Sequence, residues 1–268
     1  MRDTTGDGPA ELELVTERCA ILADLLRNNR RFAFVGRGVS LAGDRPDGPD
    51  LVGQVAHLTG FASAHFIPAD RWPAYEKTLS AAGLIPVRWS QLIGRAPALD
   101  AAREFLNAFS PPGDLRLCAV GPDTDDATLS TIRKSAFRAG VTPPIPSVMR
   151  GSGPPGVILY VTTPDGQVVA SGGGFLAYAN CDGHETDAFW GMLATSETWR
   201  GKRLASWVGA ETILRLADNF GATSFSSGVK PDNAPSQAMC ARLGLRDENI
   251  IYAGATNPRL LGNTPITR

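Results

Sequence analysis

The sequence lacks most of the features that would identify a function by themselves. Its formal net charge is −1, from 26 basic and 27 acidic residues, so no charge surplus draws it to nucleic acid or to an anionic membrane. It has only four cysteines, without a C-x-x-C pair, and three histidines, so we expect neither a disulfide framework nor a metal site. No apolar run approaches the ~20 residues that a membrane-spanning helix needs.

What is present is the composition of a globular protein. At 268 residues, 43% hydrophobic and 20% charged, the chain predicts one large or two smaller domains with a packed core. Scattered cysteines and the absence of an N-terminal signal pattern favour a cytoplasmic location. The break at residues 110–114 (SPPGD) predicts two domains, 1–110 and 111–268.

The most informative stretch joins an apolar run to an amphipathic segment. Residues 188–194 (AFWGMLA) are typical of a buried strand, and residues 204–220 carry apolar side chains at helical spacing. Between them lies a basic, glycine-containing turn, residues 200–205 (RGKRLA). The free N–H groups and the dipole of a helix N-terminus, together with three basic side chains, favour a ligand that carries phosphate.

The turn lacks two common phosphate-binding patterns, the G-x-x-x-x-G-K-[ST] of a P-loop and the G-x-G-x-x-G of a dinucleotide-binding fold. It resembles instead the Q/R-x-x-G-x-G/A loop with which the GNAT acetyltransferase superfamily binds the pyrophosphate of acetyl-coenzyme A. Arg200 fills the first position and Ala205 the last, whereas Arg203 replaces the usual glycine. The alternative is a solvated basic start of a helix.

A second signature that resembles the same family follows further along the chain. Residues 223–229 (TSFSSGV) predict a strand, and residues 230–245 predict a short helix that Asp232 or Asn233 caps. In the family the strand ends in V-x-x-x-N-x-x-[SA] and the helix in L-G-[FL]. The matching residues here are Val229, Asn233, Ser236, Leu243, Gly244 and Leu245.

The resemblance covers roughly residues 114–255 and implies the fold. A helix at 125–139 and strands at 115–120, 157–161 and 167–171 precede the apolar run, which gives the order β-α-β-β-β-α-β-α-β of the GNAT fold. We therefore predict an α/β protein (α+β, with a mixed sheet). A GNAT acyltransferase domain forms its C-terminal part, and an additional α/β domain its N-terminal part.

The first 110 residues are less informative, with helices predicted at 11–28 and 96–109 and a strand at 31–35. Residues 36–43 (GRGVSLAG) lack the third glycine and the later acidic residue of a dinucleotide-binding loop, so we interpret them as a glycine-rich connection. Residues 75–84 (YEKTLSAAGL) resemble in texture the helix that ends at Gly244. A degenerate GNAT-like half and a generic helix that ends at a glycine both explain this similarity.

The resemblance assigns the contacts of acetyl-CoA to two places. Backbone N–H groups at the end of the fourth strand hold the pantetheine and polarise the thioester carbonyl, and the basic loop binds the pyrophosphate. The alternative for the first group is an ordinary core strand. The assigned residues are Met192, Leu193, Ala194, Arg200, Gly201, Lys202, Arg203, Leu204, Ala205, Asn233 and Ser236.

The resemblance also implies that an amine attacks the thioester directly, which requires a proton acceptor. Asp187 and Glu185 precede the strand that faces the acceptor, and we predict that one of them is this base; the alternative is a pair of solvated turn residues. Many family members protonate the departing thiolate with a tyrosine on the last helix. Cys240 stands at that position, as an acid or as a buried small hydrophobe.

These observations predict an N-acetyltransferase that moves an acetyl group from acetyl-CoA to a primary amine in a ternary complex, without a metal. The acceptor is a small molecule or a peptide amine, and an amino acid, an aminoglycoside-like molecule and a protein N-terminus all stay open. We expect no nucleic-acid or membrane partner, and a monomer or a dimer. The alternatives are a non-catalytic acyl-CoA-binding regulatory module and a nucleotide-binding protein that uses residues 36–43.

Overall fold

The computed structural model describes residues 8–262, 264 and 266, and its strands form one mixed ten-stranded sheet. The described residues contain ten strands and eight α-helices. The strands are β1 (Phe32–Phe34), β2 (Val39–Ala42), β3 (Phe61–Pro68), β4 (Ile85–Gly94), β5 (Arg116–Ala119), β6 (Gly156–Thr162), β7 (Val168–Phe175), β8 (Asp187–Thr195), β9 (Ser224–Val229) and β10 (Arg246–Thr256). The helices are α1 (Ala10–Leu26), α2 (Gly48–Thr59), α3 (Trp72–Ala81), α4 (Ala96–Ala108), α5 (Asp126–Arg138), α6 (Leu204–Phe220), α7 (Ala234–Arg242) and α8 (Pro258–Leu261).

The α/β fold and the element order predicted for the C-terminal part are confirmed. From β5 to β10 the strands and α-helices follow in the order β-α-β-β-β-α-β-α-β. Local signals set the helix boundaries: the Asp125 carboxylate accepts a hydrogen bond from the Thr128 N–H at the start of α5. Gly221, with φ of 70°, ends α6 in the left-handed conformation that glycine adopts without strain.

Part of this order occurs twice in the chain. The N-terminal run (β2, α2, β3, α3, β4) has the same element order as the C-terminal run (β8, α6, β9, α7, β10), and each begins with a parallel strand pair, β2–β3 and β8–β9. The centre of the sheet has the order β3-β10-β4-β9, so the last strand of each run lies against the other run. This connectivity favours the half-repeat interpretation, whereas the domain boundary at residue 110 stays a prediction.

The prediction that residues 36–43 form a connection holds only for residues 36–38. It is wrong for residues 39–42, which form β2 because their backbone pairs with both β1 and β3. β1 and β2 form an antiparallel hairpin in which the Val35 N–H donates to the Gly38 carbonyl at 3.0 Å. The chain therefore turns back at Arg37 instead of entering the helix that a dinucleotide-binding loop requires.

Helices cover the sheet and bury its core. Beneath α6, Trp190 of β8 is fully buried and donates its indole N–H to the Gly209 carbonyl at 2.9 Å. A buried ion pair at 3.0 Å joins Glu13 of α1 to Arg133 of α5. Elements from both ends of the chain thus pack on one sheet, which fixes their side chains relative to one another.

Candidate active site

The candidate site begins where β8 and β9 separate. The two strands pair in parallel only over residues 187–189 and 224–226. Beyond Phe189 and Ser226, β8 stays paired with β7, and β9 stays paired with β4. We call the gap between β8 and β9 the wedge. Separated parallel strands leave backbone N–H and C=O groups that a ligand can satisfy.

A β-bulge lies at the edge of the wedge. Ser171 pairs with Ala194 and Gly173 pairs with Gly191, so Met192 and Leu193 together oppose one residue of β7. Met192 has φ of 55°, a left-handed conformation that costs a non-glycine residue about 1–3 kcal/mol. Backbone strain of this kind concentrates at functional sites, and the bulge interrupts the regular ladder at two of the predicted thioester contacts.

A cavity of about 240 Å³ fills the wedge, and both parts of the chain line it. β8 and the start of α7 contribute predicted cofactor contacts, and Cys240 lies near the end of α7. The first 110 residues contribute a wall of aromatic and polar side chains. The lining residues used below are Gly191, Met192, Leu193, Lys230, Asn233, Ser236 and Cys240 from the C-terminal part, and Arg37, Phe61, Ser63, His65 and Trp89 from the N-terminal part. None of the described residues that line the cavity is acidic.

The α6 loop, residues 200–203, is exposed and lies outside the cavity lining. Within the described part of the chain, the backbone N–H groups of residues 201–206 have no hydrogen-bond partner. Gly201 and Arg203 both have positive φ, 79° and 60°. Arg203 therefore keeps the backbone conformation of the family's glycine, at the cost that a side chain adds in that conformation. The free N–H groups and the basic side chains suit a phosphate ligand.

The two predicted carboxylates lie outside the cavity lining. Glu185 is exposed, and hydrogen bonds from its own N–H and that of Gly183 hold the pKa of its carboxyl below the ordinary value. The Asp187 carboxylate lies 2.7 Å from Nδ1 of His184, whose ring stacks on Phe66 at 4.0 Å. Their role as base stays a prediction that this placement does not support.

Cys240 does line the cavity, but it is almost completely buried. Burial raises the pKa of its thiol to about 12. A thiol with so high a pKa is a poor proton donor at neutral pH, which favours the alternative of a buried small hydrophobe. Its predicted role as an acid stays untested.

Sequence reasoning missed a polar cluster at the closed end of the wedge. Nδ1 of the buried His65 lies 2.5 Å from the Tyr178 hydroxyl, and Nε2 lies 2.9 Å from the Ser63 hydroxyl. The His65 ring stacks on Tyr252 at 3.6 Å, and the Tyr252 hydroxyl lies 3.1 Å from Oγ of Ser226. These residues come from four distant segments, so no motif spacing could have joined them.

The polar cluster is electrically neutral at physiological pH. Burial lowers the pKa of His65 to about 3, so its ring carries no charge. Burial also raises the pKa of Tyr178 and Tyr252 above the ordinary value, so both phenols stay protonated. The cluster can orient a substrate by hydrogen bonds, but His65 is too weak a base to hold a proton at neutral pH.

In residues 8–262, 264 and 266, no three histidine, cysteine, aspartate or glutamate side chains cluster as metal ligands would. Over the same ranges, every helix is too short or too polar to cross a bilayer.

Comparison with known proteins defines the class. Residues 128–245 match the family described as Acetyltransferase (GNAT) family. These residues form a GNAT acetyltransferase domain, as the two sequence signatures predicted. The family supports acyl transfer as the general chemistry. No curated protein matches the chain.

Solved structures extend the likeness beyond that domain. A GCN5-related N-acetyltransferase from Kribbella flavida is 15% identical, with a TM-score of 0.53 over 89% of this chain and 95% of that one. A GCN5-related N-acetyltransferase-like protein from Streptococcus suis is 12% identical, with a TM-score of 0.54 over 84% and 82%. A tandem GNAT protein from the clavulanic acid biosynthesis pathway is 15% identical, with a TM-score of 0.50 over 82% and 74%. At these identities the likeness concerns the fold, and it includes the N-terminal part.

Proposed function

We propose that the protein transfers an acetyl group from acetyl-CoA to a primary amine, with both substrates bound at once. One observation carries this proposal: the bulge at Met192 and Leu193 borders the wedge of a GNAT domain, and the first 110 residues line the same cavity. We propose that the donor reaches this strand from the C-terminal side of the cavity and the acceptor from the N-terminal side.

The donor would bind along the C-terminal run. The unpartnered N–H groups of residues 201–206 fit a pyrophosphate, and Arg200, Lys202 and Arg203 add positive charge. The pantetheine would follow the wedge between Leu193 on β8 and Asn233 with Ser236 on α7. These contacts are the ones that the resemblance implies for acetyl-CoA.

Acetyl transfer then needs little covalent help from the protein. The lone pair of the amine nitrogen attacks the carbonyl carbon, a C–N bond forms, and the C–S bond breaks with its electron pair going to sulfur. N–H groups at the bulge would stabilise the oxyanion that develops on the carbonyl oxygen. The thiolate takes a proton, and the nitrogen loses one.

The charges around the cavity bear on the form in which the amine binds. No acidic side chain lines the described cavity to stabilise an ammonium, and the Arg37 guanidinium disfavours one. His65 is neutral and weakly basic. We therefore propose that the amine binds as its free base, so that its proton passes to water before the attack. Asp187 and Glu185 are then not required as bases.

The test is the release of CoA thiol from acetyl-CoA with a panel of primary amines, at pH values from 6 to 10. We expect turnover with at least one amine, and a kcat/KM that rises with pH until the amine itself is deprotonated. The pKa of the rising part of the kcat/KM–pH profile should change when the acceptor is exchanged for one of different basicity. If that pKa stays the same, free-base binding is contradicted. Failure of every amine, with acetyl-CoA bound, would contradict acetyl transfer.

The second candidate is a non-catalytic acyl-CoA-binding module. Two observations favour it: no acidic residue lines the described cavity, and Cys240 is a poor acid at the position of the family's tyrosine. Calorimetry together with the amine panel separates the two functions, because this module would bind acetyl-CoA without releasing its thiol.

Compartment and partners stay proposals as well. Cys19, Cys118, Cys181 and Cys240 are free thiols, which supports the expected cytoplasmic location without establishing it. The cavity volume of about 240 Å³ favours a small acceptor over the N-terminus of a folded protein.

A further inference from the structure

We infer that the acceptor is a small primary amine that also carries a carboxylate, and that Arg37 binds this carboxylate. The inference rests on the proposed function, because it assigns the second group of the molecule whose amine is acetylated.

The fold fixes Arg37 at the wall of the cavity. It stands at the tip of the β1–β2 hairpin, and its Nη1 donates to the Thr142 carbonyl at 2.7 Å. The preceding Gly36 has φ of 78°, and a Cβ built on it would lie 2.2 Å from Cε2 of Phe175. The turn therefore packs against Phe175 so closely that only glycine fits, which holds the arginine in place.

Arg37 differs from its neighbours in lacking a carboxylate partner. On the same part of the chain, Arg31 lies 2.6 Å from Asp47, and Arg71 lies 2.9 Å from Asp44. Among the described residues, Arg37 has the Thr142 carbonyl as its hydrogen-bond partner and no acidic one. A half-buried cation without an anion is costly, and a bound anion recovers much of that cost.

The groups around Arg37 leave its charge intact. Burial lowers its pKa to about 10, while the Tyr252 hydroxyl raises it, so the guanidinium is positive at neutral pH. His65, the other titratable group of this wall, is neutral. The cavity therefore presents one fixed positive charge on its N-terminal side, and a planar guanidinium matches a carboxylate in a bidentate geometry.

Lys230 is the competing cation. It also lines the cavity, but it follows β9 and precedes α7, next to Asn233 and Ser236. That side is where the pantetheine of the donor is proposed to lie. An acceptor that reaches the bulge from the N-terminal wall meets Arg37, and Phe61 and Trp89 are apolar residues of the same wall.

The wild-type protein gives the first test, without any substitution. Matched amines that differ in one group are compared: glycine with glycinamide, β-alanine with β-alaninamide, and phenylalanine with phenylalaninamide. Rates are normalised to the concentration of free base, because the amides are less basic. We expect kcat/KM to be at least ~30-fold higher for the carboxylates. Equal rates, or faster amides, would overturn the inference.

Substitutions locate the group responsible. Arg37→Gln is expected to lower kcat/KM for the preferred carboxylate by ~100-fold and for its amide by less than about threefold, with Arg37→Lys in between. Arg88→Gln, at an exposed position of β4, is the matched control, and circular dichroism checks folding. If Lys230→Gln abolishes the preference and Arg37→Gln does not, the assignment to Arg37 is wrong. An aminomethylphosphonate rate more than about tenfold above glycine would show recognition of a phosphonate instead.

Failure of the inference is distinguishable from failure of the proposed function. If no amine releases CoA although acetyl-CoA binds, acetyl transfer fails, and the same amines are titrated calorimetrically into the acetyl-CoA-loaded protein. Carboxylate-dependent binding that Arg37→Gln removes would still establish the anion site. Absence of such binding would overturn the inference as well.

Discussion

The N-terminal and C-terminal runs share one connectivity but differ at the places where a donor would bind. The C-terminal run enters α6 through a basic, exposed loop with free N–H groups. The N-terminal run enters α2 through residues 43–47, where Asp44 pairs with Arg71 and Asp47 pairs with Arg31. Acidic side chains already complement the dipole of α2, so a phosphate would be repelled there.

The strand pairs differ in the same sense. β2 pairs with β3 along its whole length, from Val39 to Ala42, whereas β8 extends six residues beyond its last pair with β9, from Phe189 to Thr195. Only the second pair opens a wedge. The two runs therefore share a connectivity, but only the C-terminal run has the separated strands and the free, cationic helix start that the proposed donor site uses. The N-terminal run supplies a wall of the cavity instead.

We expect the largest effect when the α6 loop, residues 200–203, is given the acidic character of residues 43–47, which precede α2. Replacing both Lys202 and Arg203 by Asp places two anions beside the proposed pyrophosphate, so we expect acetyl-CoA affinity to fall by ~100-fold or more. Isothermal calorimetry measures the loss, and Arg116→Asp on exposed β5 is the control. Unchanged affinity in a folded double variant would refute the loop assignment.

The N-terminal contribution to the cavity is tested through His65. Its pKa is about 3 in the folded protein against an ordinary value of 6.5, so the unfolded chain binds the extra proton between these values. This group's contribution to stability is full above pH 6.5 and falls by about 1.4 kcal/mol per pH unit down to about pH 3. Denaturant titrations of wild type and His65→Gln should diverge across that window. Parallel curves would mean that His65 is solvated or charged.

Single substitutions in the α6 loop should have a smaller effect on acetyl-CoA binding. Gly201→Val obstructs the close approach of a phosphate to the loop backbone, and Arg200→Glu reverses one charge. Each should weaken acetyl-CoA binding at least tenfold, about 1.4 kcal/mol. The same calorimetric titration with acetyl-CoA measures this loss. If a folded variant retains wild-type affinity, the substituted residue does not belong to the binding site.

The smallest expected effects concern the proton. Because CoA thiolate is a good leaving group and Cys240 is a poor acid, Cys240→Ala should retain at least a tenth of the wild-type kcat. If the amine binds as its free base, Asp187→Asn and Glu185→Gln, tested singly, should leave the pKa of the rising part of the kcat/KM–pH profile unchanged. A loss of ~10²-fold with a shift in that pKa would identify that carboxylate as the base. Loss of all turnover in Cys240→Ala, with acetyl-CoA bound, would make the thiol catalytic.

The sequence predicted what local chemistry determines. The cap at Asn233, the helical spacing of residues 204–220 and the basic turn are signals carried by neighbouring residues. The insertion of β4 between β9 and β10 had no such signal, because strand pairing across the chain depends on packing.

The candidate site was predictable only in part for the same reason. The predicted donor contacts lie close together in the sequence, whereas the cluster of His65, Tyr178 and Tyr252 is assembled from distant strands and loops. Arg37 was visible only as part of a glycine-rich segment. Its lack of an acidic partner is a property of the folded chain.

The most direct measurement of the central claim is the number of acetyl-CoA sites per chain and their dependence on the two loops. Calorimetry should give one site, which the Lys202→Asp, Arg203→Asp variant loses and an Asp44→Asn, Asp47→Asn variant keeps. Two sites in the wild type, or a site that survives the α6 changes and is lost with the α2 changes, would contradict the assignment of donor binding to the C-terminal run.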